Sequence, residues 1–192
     1  MVKTENFIQI EVTSSNELRD WLQKNHTQNE SIWLITYKKE VIEKYVSVQE
    51  VLDELLCFGW IDGIRRKLDE QRTMQLISPR QVQHWTKTYK DRFEKLEKAG
   101  WMTDAGRQSV ALSKEKGLWD FMDDVDKLIK PTDFVQALDV HPPALLNFDA
   151  FGASGKRFML RYIKIAKTPA TRARRINEIT LLAQQGSKLP GS

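Results

Sequence analysis

Residues 56–63 read Leu56-Cys57-Phe58-Gly59-Trp60-Ile61-Asp62-Gly63, and a charged run follows them, Ile64-Arg65-Arg66-Lys67-Leu68-Asp69-Glu70. Before this stretch, Ser47 is a favourable N-cap, and apolar side chains recur at helical spacing up to Cys57. After it, Trp60 to Leu68 is rich in strand-forming residues. The stretch therefore predicts a helix-to-strand corner. Aromatic side chains beside one acid and several cations suit either a ligand site or a tight corner of the core.

The flanking segments extend this pattern into a small domain. Alternating or β-branched runs predict strands, and capped apolar stripes predict helices. Working outward from the corner, we predict strands at residues 7–12, 31–37 and 73–77, and helices at residues 14–25, 86–99 and 103–116. This mixture predicts an α+β domain over residues 1–119, with a small mixed sheet and flanking helices.

The C-terminal part has a different character. Residues 120–130 contain four aspartates before Pro131, which predicts an acidic linker. Residues 131–192 then predict only helices, including one that begins at Pro169, because proline is favoured at the first helical position. We therefore predict a helical bundle module after the linker.

Composition limits the class of protein. The chain has 192 residues and one cysteine, Cys57, so an internal disulfide is impossible. A single cysteine suits a reducing compartment. The N-terminus has no signal-peptide pattern, and no apolar run approaches the roughly 20 residues that span a bilayer. These features predict a soluble cytoplasmic protein, and nothing in them indicates an oligomeric state.

Five residues around the corner are candidates for a small-anion site: Trp60, Asp62, Arg65, Arg80 and Trp85. If the strand from Trp60 pairs with the strand ending near Ile77, Arg80 approaches the corner. Strict alternation places Trp60 and Asp62 on one face and Arg65 on the other, unless Gly63 introduces a bulge. An arginine fork between indole rings would bind an anion. The alternative is an Asp–Arg pair that caps the core.

Basic residues concentrate at the C-terminal end. Residues 131–192 hold 9 basic and 4 acidic side chains, whereas residues 1–78 hold 10 and 13. The candidates for a basic surface are Arg157, Arg161, Lys164, Lys167, Arg172, Arg174 and Arg175. They would bind phosphate groups of a nucleic acid or of an anionic membrane surface. Alternatively, acidic residues elsewhere in the fold neutralise them.

Metal and cofactor chemistry have no support in the pattern. His26, His84 and His141 are far apart and lack metal-site spacing, and Gly59 and Gly63 do not form a phosphate-binding glycine loop. We predict neither a metal site nor a cofactor. Cys57 is predicted to be a buried structural thiol.

A family resemblance rests on several of these motifs. The corner at Leu56–Gly63, Asp69-Glu70, Pro79-Arg80 with Trp85, and Gly100-x-Met102 resemble the YdeI/OmpD-associated family of bacterial proteins. The closing segment Ala166-Lys167-Thr168-Pro169-Ala170-Thr171-Arg172-Ala173-Arg174-Arg175-Ile176 resembles its C-terminal signature. The resemblance covers about Ser14 to Gln185. Where relatives tend toward Ser-x-Trp-Ser, this chain has Val82-Gln83-His84-Trp85-Thr86.

The resemblance implies an interaction protein. The family is described as bacteriocin-protection or porin-associated, with members linked to tolerance of cationic antimicrobial peptides, and it brings no catalytic residues to this chain. We therefore expect a non-enzymatic protein that contributes to stress tolerance through a protein partner. Two alternatives stay open: a small-anion binder or enzyme at the Trp60–Asp62–Arg80 corner, and nonspecific nucleic-acid binding by the basic helices.

Overall fold

The structure is a computed structural model that describes residues 7–81 and 84–191. The chain forms two compact units, residues 1–120 and residues 121–192. Val82 and Gln83, where the sequence departs from the Ser-x-Trp-Ser pattern, lie outside the described residues. The N-terminal unit is built, in chain order, from β1 (Gln9–Glu11), α1 (Ser15–Asn25), β2 (Ile32–Tyr37), α2 (Val48–Cys57), β3 (Trp60–Lys67), β4 (Arg72–Pro79), α3 (Lys87–Lys98) and α4 (Asp104–Glu115).

The four strands form one mixed sheet in the order β1-β2-β4-β3. β1 runs parallel to β2, because α1 carries the chain back between them. β4 is antiparallel to both β2 and β3. A tight turn joins β3 to β4, and the Asp69 carboxylate accepts hydrogen bonds from the backbone N–H groups of Gln71 and Arg72 in that turn. The mixed sheet confirms the predicted α+β class.

Serine side chains cap the first two helices of this unit. The Ser14 side chain accepts from the backbone of Glu17 at the start of α1, and Ser47 forms a reciprocal capping box with Glu50 at the start of α2. Such a cap contributes about 1 kcal/mol, because it satisfies backbone donors that have no partner inside the helix.

One face of the sheet and the helices share a single apolar core. The largest buried members of this core are Leu18, Leu22, Ile32, Leu34, Leu55, Leu56, Trp60, Ile77 and Trp85. Full burial of each leucine or isoleucine is worth about 1.5–3 kcal/mol relative to exposure. This packing fixes the corner between α2 and β3 in place.

The C-terminal unit is helical, as predicted. It consists of α5 (Asp123–Asp126), α6 (Thr132–Asp139), α7 (Ala144–Ala150), α8 (Ala153–Lys164) and α9 (Pro169–Gln184). Its core centres on Phe134 and Phe148, whose rings meet edge to face with centroids 5.0 Å apart. Among residues 7–81 and 84–191, no helix is both long and apolar enough to cross a membrane.

The segment predicted as an acidic linker contains more structure than its charge suggested. Residues 123–126 form α5, and Met122 and Val125 are buried in the core of the C-terminal unit. The aspartates obscured this helix in the sequence, because they surround the two apolar side chains that anchor it.

Candidate functional site

A bulge in β3 decides which side chains share a face of the sheet. Asp62 lies opposite Ile77, whereas Arg65 lies opposite Gln75, so three steps along β3 match two along β4. The extra residue moves Arg65 to the same face as Asp62, because side chains alternate along a strand. Strict alternation would have separated the two. The bulge that the sequence left open at Gly63 therefore exists.

Asp62 is held by two side chains from different elements. Gln75 on β4 donates from Nε2 to Oδ2 of Asp62 over 3.2 Å. Tyr89 on α3 donates its hydroxyl to Oδ1 over 2.5 Å. Burial raises the pKa of Tyr89, and its hydrogen bond to Asp62 raises that pKa further, so the tyrosine stays protonated as a donor. The carboxylate is thus fixed in position by neutral partners.

Arg80 lies next to this carboxylate but does not pair with it. The Arg80 backbone N–H donates to the carbonyl oxygen of Gly59 over 2.8 Å, which fixes it at the corner as the sequence predicts. Its guanidinium carbon lies 4.1 Å from the centre of the Trp85 ring and 5.1 Å from that of Tyr89. Arg80 is 8% exposed. Nε, Nη1 and Nη2 find no hydrogen-bond acceptor among the described residues.

This burial is energetically costly. A buried hydrogen-bond donor without an acceptor costs about 1–3 kcal/mol, and more when it is charged. Burial lowers the pKa of Arg80 to about 10, while Tyr89 and Asp62 act to raise it. The side chain therefore remains a cation at neutral pH. Stacking on Trp85 recovers part of the cost, because the ring face attracts a desolvated cation.

The other predicted corner residues have different contacts. The Trp60 indole N–H donates to the carbonyl oxygen of His26 over 3.1 Å, and its ring meets Trp21 edge to face. Arg65 donates from Nη2 to the hydroxyl of Thr36 over 3.3 Å. The structure thus brings together Asp62, Arg80 and Trp85 through Tyr89, and places Trp60 in the core beneath α1.

Sequence reasoning missed Tyr89, which links the site. The sequence did contain a signal, since Tyr89 follows Trp85 by four residues. In the structure the two rings lie 6.4 Å apart at 88°. It also missed Arg19, which donates to the buried carboxylate of Glu54 over 2.8 Å and to the carbonyl of Trp101 over 2.9 Å. Partners 35 and 82 residues away leave no local pattern to read.

Close ion pairs inside the C-terminal unit hold Lys164 and Arg172 among the predicted basic residues. Lys164 lies 2.5 Å from the carboxylate of Asp124. Arg172 forms a two-pronged pair with Asp133, at 2.7 and 2.8 Å. This pair lowers the pKa of Asp133, because Arg172 donates to the charged carboxylate. Both cations are therefore held within the fold.

The remaining basic candidates differ in how they are held. Arg175 donates to the backbone carbonyl of Tyr162 over 2.6 Å and stacks on its ring. Arg157 donates to the carbonyl of Asp126 at 3.4 Å, and Arg174 lies 3.9 Å from Glu178. Arg161 and Lys167 are exposed. Nucleic-acid binding by this surface stays a prediction.

A groove of 420 Å³ separates α6 from α9 within the C-terminal unit. Two of its lining residues, Ile176 and Thr180, are buried, and the hydroxyl of Thr180 has no hydrogen-bond partner among the described residues. Ala137 and Ala173 add small apolar surfaces, and the Asp133–Arg172 pair borders it. Small side chains on both helices leave room for a larger group from elsewhere.

Metal-ligand chemistry is not gathered anywhere in the described part of the chain, where no three His, Cys, Asp or Glu side chains cluster. Cys57 is fully buried. Burial raises the pKa of its thiol to about 11, and nearby Glu54 raises it further. Cys57 is therefore protonated at neutral pH, in keeping with a structural role.

Comparison with known families now assigns both halves. Residues 10–109 match a family model described as a domain of unknown function, DUF8412, and residues 127–186 match one described as bacteriocin-protection, YdeI or OmpD-associated. The chain belongs to the DUF8412 family and carries a YdeI/OmpD-associated domain. The resemblance to the YdeI/OmpD-associated family, expected over Ser14 to Gln185, is thus confirmed for residues 127–186. The N-terminal motifs that also suggested it fall in the DUF8412 match. No curated protein and no solved structure matches the chain significantly.

The two matches separate the candidate sites. Asp62, Arg80, Trp85 and Tyr89 all lie in the DUF8412 region, together with the corner at Leu56–Gly63. The YdeI/OmpD-associated domain contains the groove between α6 and α9 and the basic helix segment that resembles the family signature. Each of the two matched regions therefore contains its own candidate site.

Proposed function

We propose that the protein is a non-catalytic binding protein that contributes to tolerance of cationic antimicrobial peptides. We further propose that its YdeI/OmpD-associated domain provides the surface for a protein partner. The description of that family as bacteriocin-protection supports the biological part of the proposal. The groove between α6 and α9 supports the proposal of a partner-binding surface.

The groove has the form of a site for apolar side chains. Its volume of 420 Å³ falls in the range of about 300–1,000 Å³ that is usual for ligand pockets. Ile176 and Thr180 form a buried base, while Ala173 and Asn177 on the same face of α9 are exposed. One or two large apolar side chains from a partner would fill this space, and the surrounding polar groups would fix their orientation.

Charge favours an acidic partner over the peptides themselves. Residues 121–192 contain 11 basic and 7 acidic side chains. A surface with this excess repels a cationic peptide and attracts an acidic protein segment, since complementary charge guides encounter. We therefore propose that the protein contributes to tolerance by binding a partner protein, and not by capturing the peptide directly.

Deletion of the gene tests the biological part. We expect the deletion strain to show an altered minimum inhibitory concentration for a cationic peptide such as polymyxin B, and the wild-type gene to restore the original value. An uncharged antibiotic is the control, and its inhibitory concentration should not change. Unaltered sensitivity to the cationic peptide in the deletion strain would remove the proposal's main support.

A further inference from the structure

A cluster of buried polar atoms in the N-terminal unit lacks hydrogen-bond partners. Besides the three guanidinium nitrogens of Arg80, the indole Nε1 of Trp85 and the Oε1 of Gln75 find no partner among the described residues. Arg80 stacks on Trp85, and Gln75 donates from its other amide atom to Asp62. Buried polar atoms are nearly always satisfied in folded proteins, so five orphans in one neighbourhood point to a further group.

The nearby carboxylate of Asp62 does not supply the missing hydrogen-bond partner. Both oxygens of Asp62 accept from neutral donors, one from Tyr89 and the other from Gln75. No ion pair joins Asp62 to Arg80 in the described part of the chain, although the carboxylate is near enough to act on the guanidinium. The orphans are mostly donors: the guanidinium and the indole N–H both require acceptor oxygens.

We propose that Arg80 and the Trp85 indole N–H form a binding site for a small monoanion with carboxylate-type oxygens. A guanidinium binds a carboxylate through two parallel hydrogen bonds. Asp62 selects the charge of the occupant, because a monoanion leaves Arg80, Asp62 and the ligand with a net charge of −1. A dianion such as hydrogen phosphate would double that excess in a region of low dielectric.

The burial of the donors also limits the size of the occupant. Protein covers each of the three guanidinium nitrogens, so the anion is small and reaches them by local opening. The walls are aromatic: Trp85 lies between Tyr89 and Trp119, whose ring centre is 4.9 Å away. Formate and acetate therefore suit the site better than a sugar phosphate or a nucleotide.

Titration of the full chain with sodium formate and sodium acetate tests the site. We expect the melting temperature to rise with the logarithm of the anion concentration, by about 5 °C when the anion reaches a hundredfold its dissociation constant. Sodium chloride at equal ionic strength is the control for screening, and inorganic phosphate is the control for charge. Each should give a smaller rise.

Two variants and a matched control assign the effect to Arg80. We expect Arg80→Lys to lose most of the formate-dependent shift, because an ammonium cannot form the two-pronged contact. Trp85→Phe should weaken the shift by removing the indole N–H while keeping an aromatic ring. Arg66→Lys is the control, since Arg66 also stacks on an indole ring, Trp33 at 5.2 Å, but is exposed.

Crystals of the wild-type protein grown with and without formate give the deciding observation, and they do not depend on the variants folding. Density for a planar anion on the Arg80 guanidinium supports the proposal. Ordered water alone at these atoms in both crystals, or equal shifts in the Arg80→Lys, Arg66→Lys and wild-type proteins, would overturn it. The groove and the tolerance phenotype play no part in these outcomes.

Discussion

The hydroxyl of Tyr89 lies 2.5 Å from Oδ1 of Asp62, and the ring of the same tyrosine lies 5.1 Å from the guanidinium carbon of Arg80. One side chain of α3 therefore contacts an acid of β3 and the cation that follows β4. This polar link joins the helix to the strand hairpin beside the apolar core. It explains how opposite charges are kept close without forming an ion pair.

Removal of the Tyr89 hydroxyl should destabilise the protein. In Tyr89→Phe the half-buried carboxylate of Asp62 loses its shortest hydrogen bond, and we expect a loss of about 1.5–3 kcal/mol in the free energy of unfolding. Urea unfolding followed by circular dichroism measures it. Tyr37→Phe is a matched control, because the Tyr37 hydroxyl also donates to a carboxylate, Glu11, but in an exposed position. Equal losses in the two variants would contradict the role given to Tyr89.

Gly106 lies where α4 meets the end of α2. A methyl carbon there would lie 2.3 Å from the carbonyl oxygen of Cys57, so the backbone of one helix would have to move. We expect Gly106→Ala to cost about 3 kcal/mol, as measured by thermal and urea unfolding. In Gly152→Ala, the control, nothing lies within 4 Å of the added carbon. If both variants are as stable as the wild type, the close contact between Gly106 of α4 and the carbonyl of Cys57 is contradicted.

The thiol of Cys57 should be inert in the folded protein. It is fully buried, and burial raises its pKa to about 11. Because the thiolate is the reactive form, Ellman's reagent at pH 8 should label less than a tenth of the protein in the time that labels it fully in urea. Rapid and complete labelling of the native protein would contradict the burial of this side chain.

The Asp133–Arg172 pair should make the stability of the C-terminal unit depend on acidic pH. Arg172 lowers the folded-state pKa of Asp133 below its ordinary value of 3.8, so the pair stabilises above that value. The contribution is lost as pH falls through the lowered pKa. We expect Asp133→Asn to lose less than about 1 kcal/mol at pH 7, because the pair is partly exposed, and a smaller amount at pH 2.

Asp139→Asn is the control for that experiment, since Asp139 is exposed on the same helix. Its stability should follow that of the wild type across the pH range. A difference between Asp133→Asn and the wild type that is as large at pH 2 as at pH 7 would show that the aspartate acts through something other than its charge.

Local patterns predicted most of the fold. Ser14 and Ser47 are favourable N-cap residues, and both cap helices in the structure. The spacing of apolar side chains before Cys57 identifies the helix that ends at the corner. Short-range signals of this kind depend only on neighbouring residues. α5 was missed, because Met122 and Val125 are too few to show a period among the aspartates.

The candidate site was less accessible to sequence reasoning. Asp62 and Arg80 were found because Asp62 lies in one strand of a predicted pair and Arg80 follows the other, and Trp85 because it comes soon after Arg80. Tyr89 was not found, since its role depends on a contact between α3 and β3 that joins residues 27 positions apart. No pattern reveals that Asp62 is already engaged by Gln75 and Tyr89, which leaves the guanidinium of Arg80 without an acceptor.

Complementation with two alanine variants of the C-terminal unit tests the proposed function most directly. Ala173 lines the groove and is exposed, so Ala173→Glu should place a charged side chain in the partner's path without disturbing the core. Ala153→Glu makes the same change at the exposed first residue of α8, which does not line the groove. In a deletion strain, we predict that Ala153→Glu restores the wild-type inhibitory concentration of the cationic peptide and that Ala173→Glu, folded and equally abundant, does not. Equal restoration by both variants would contradict the groove as the docking site.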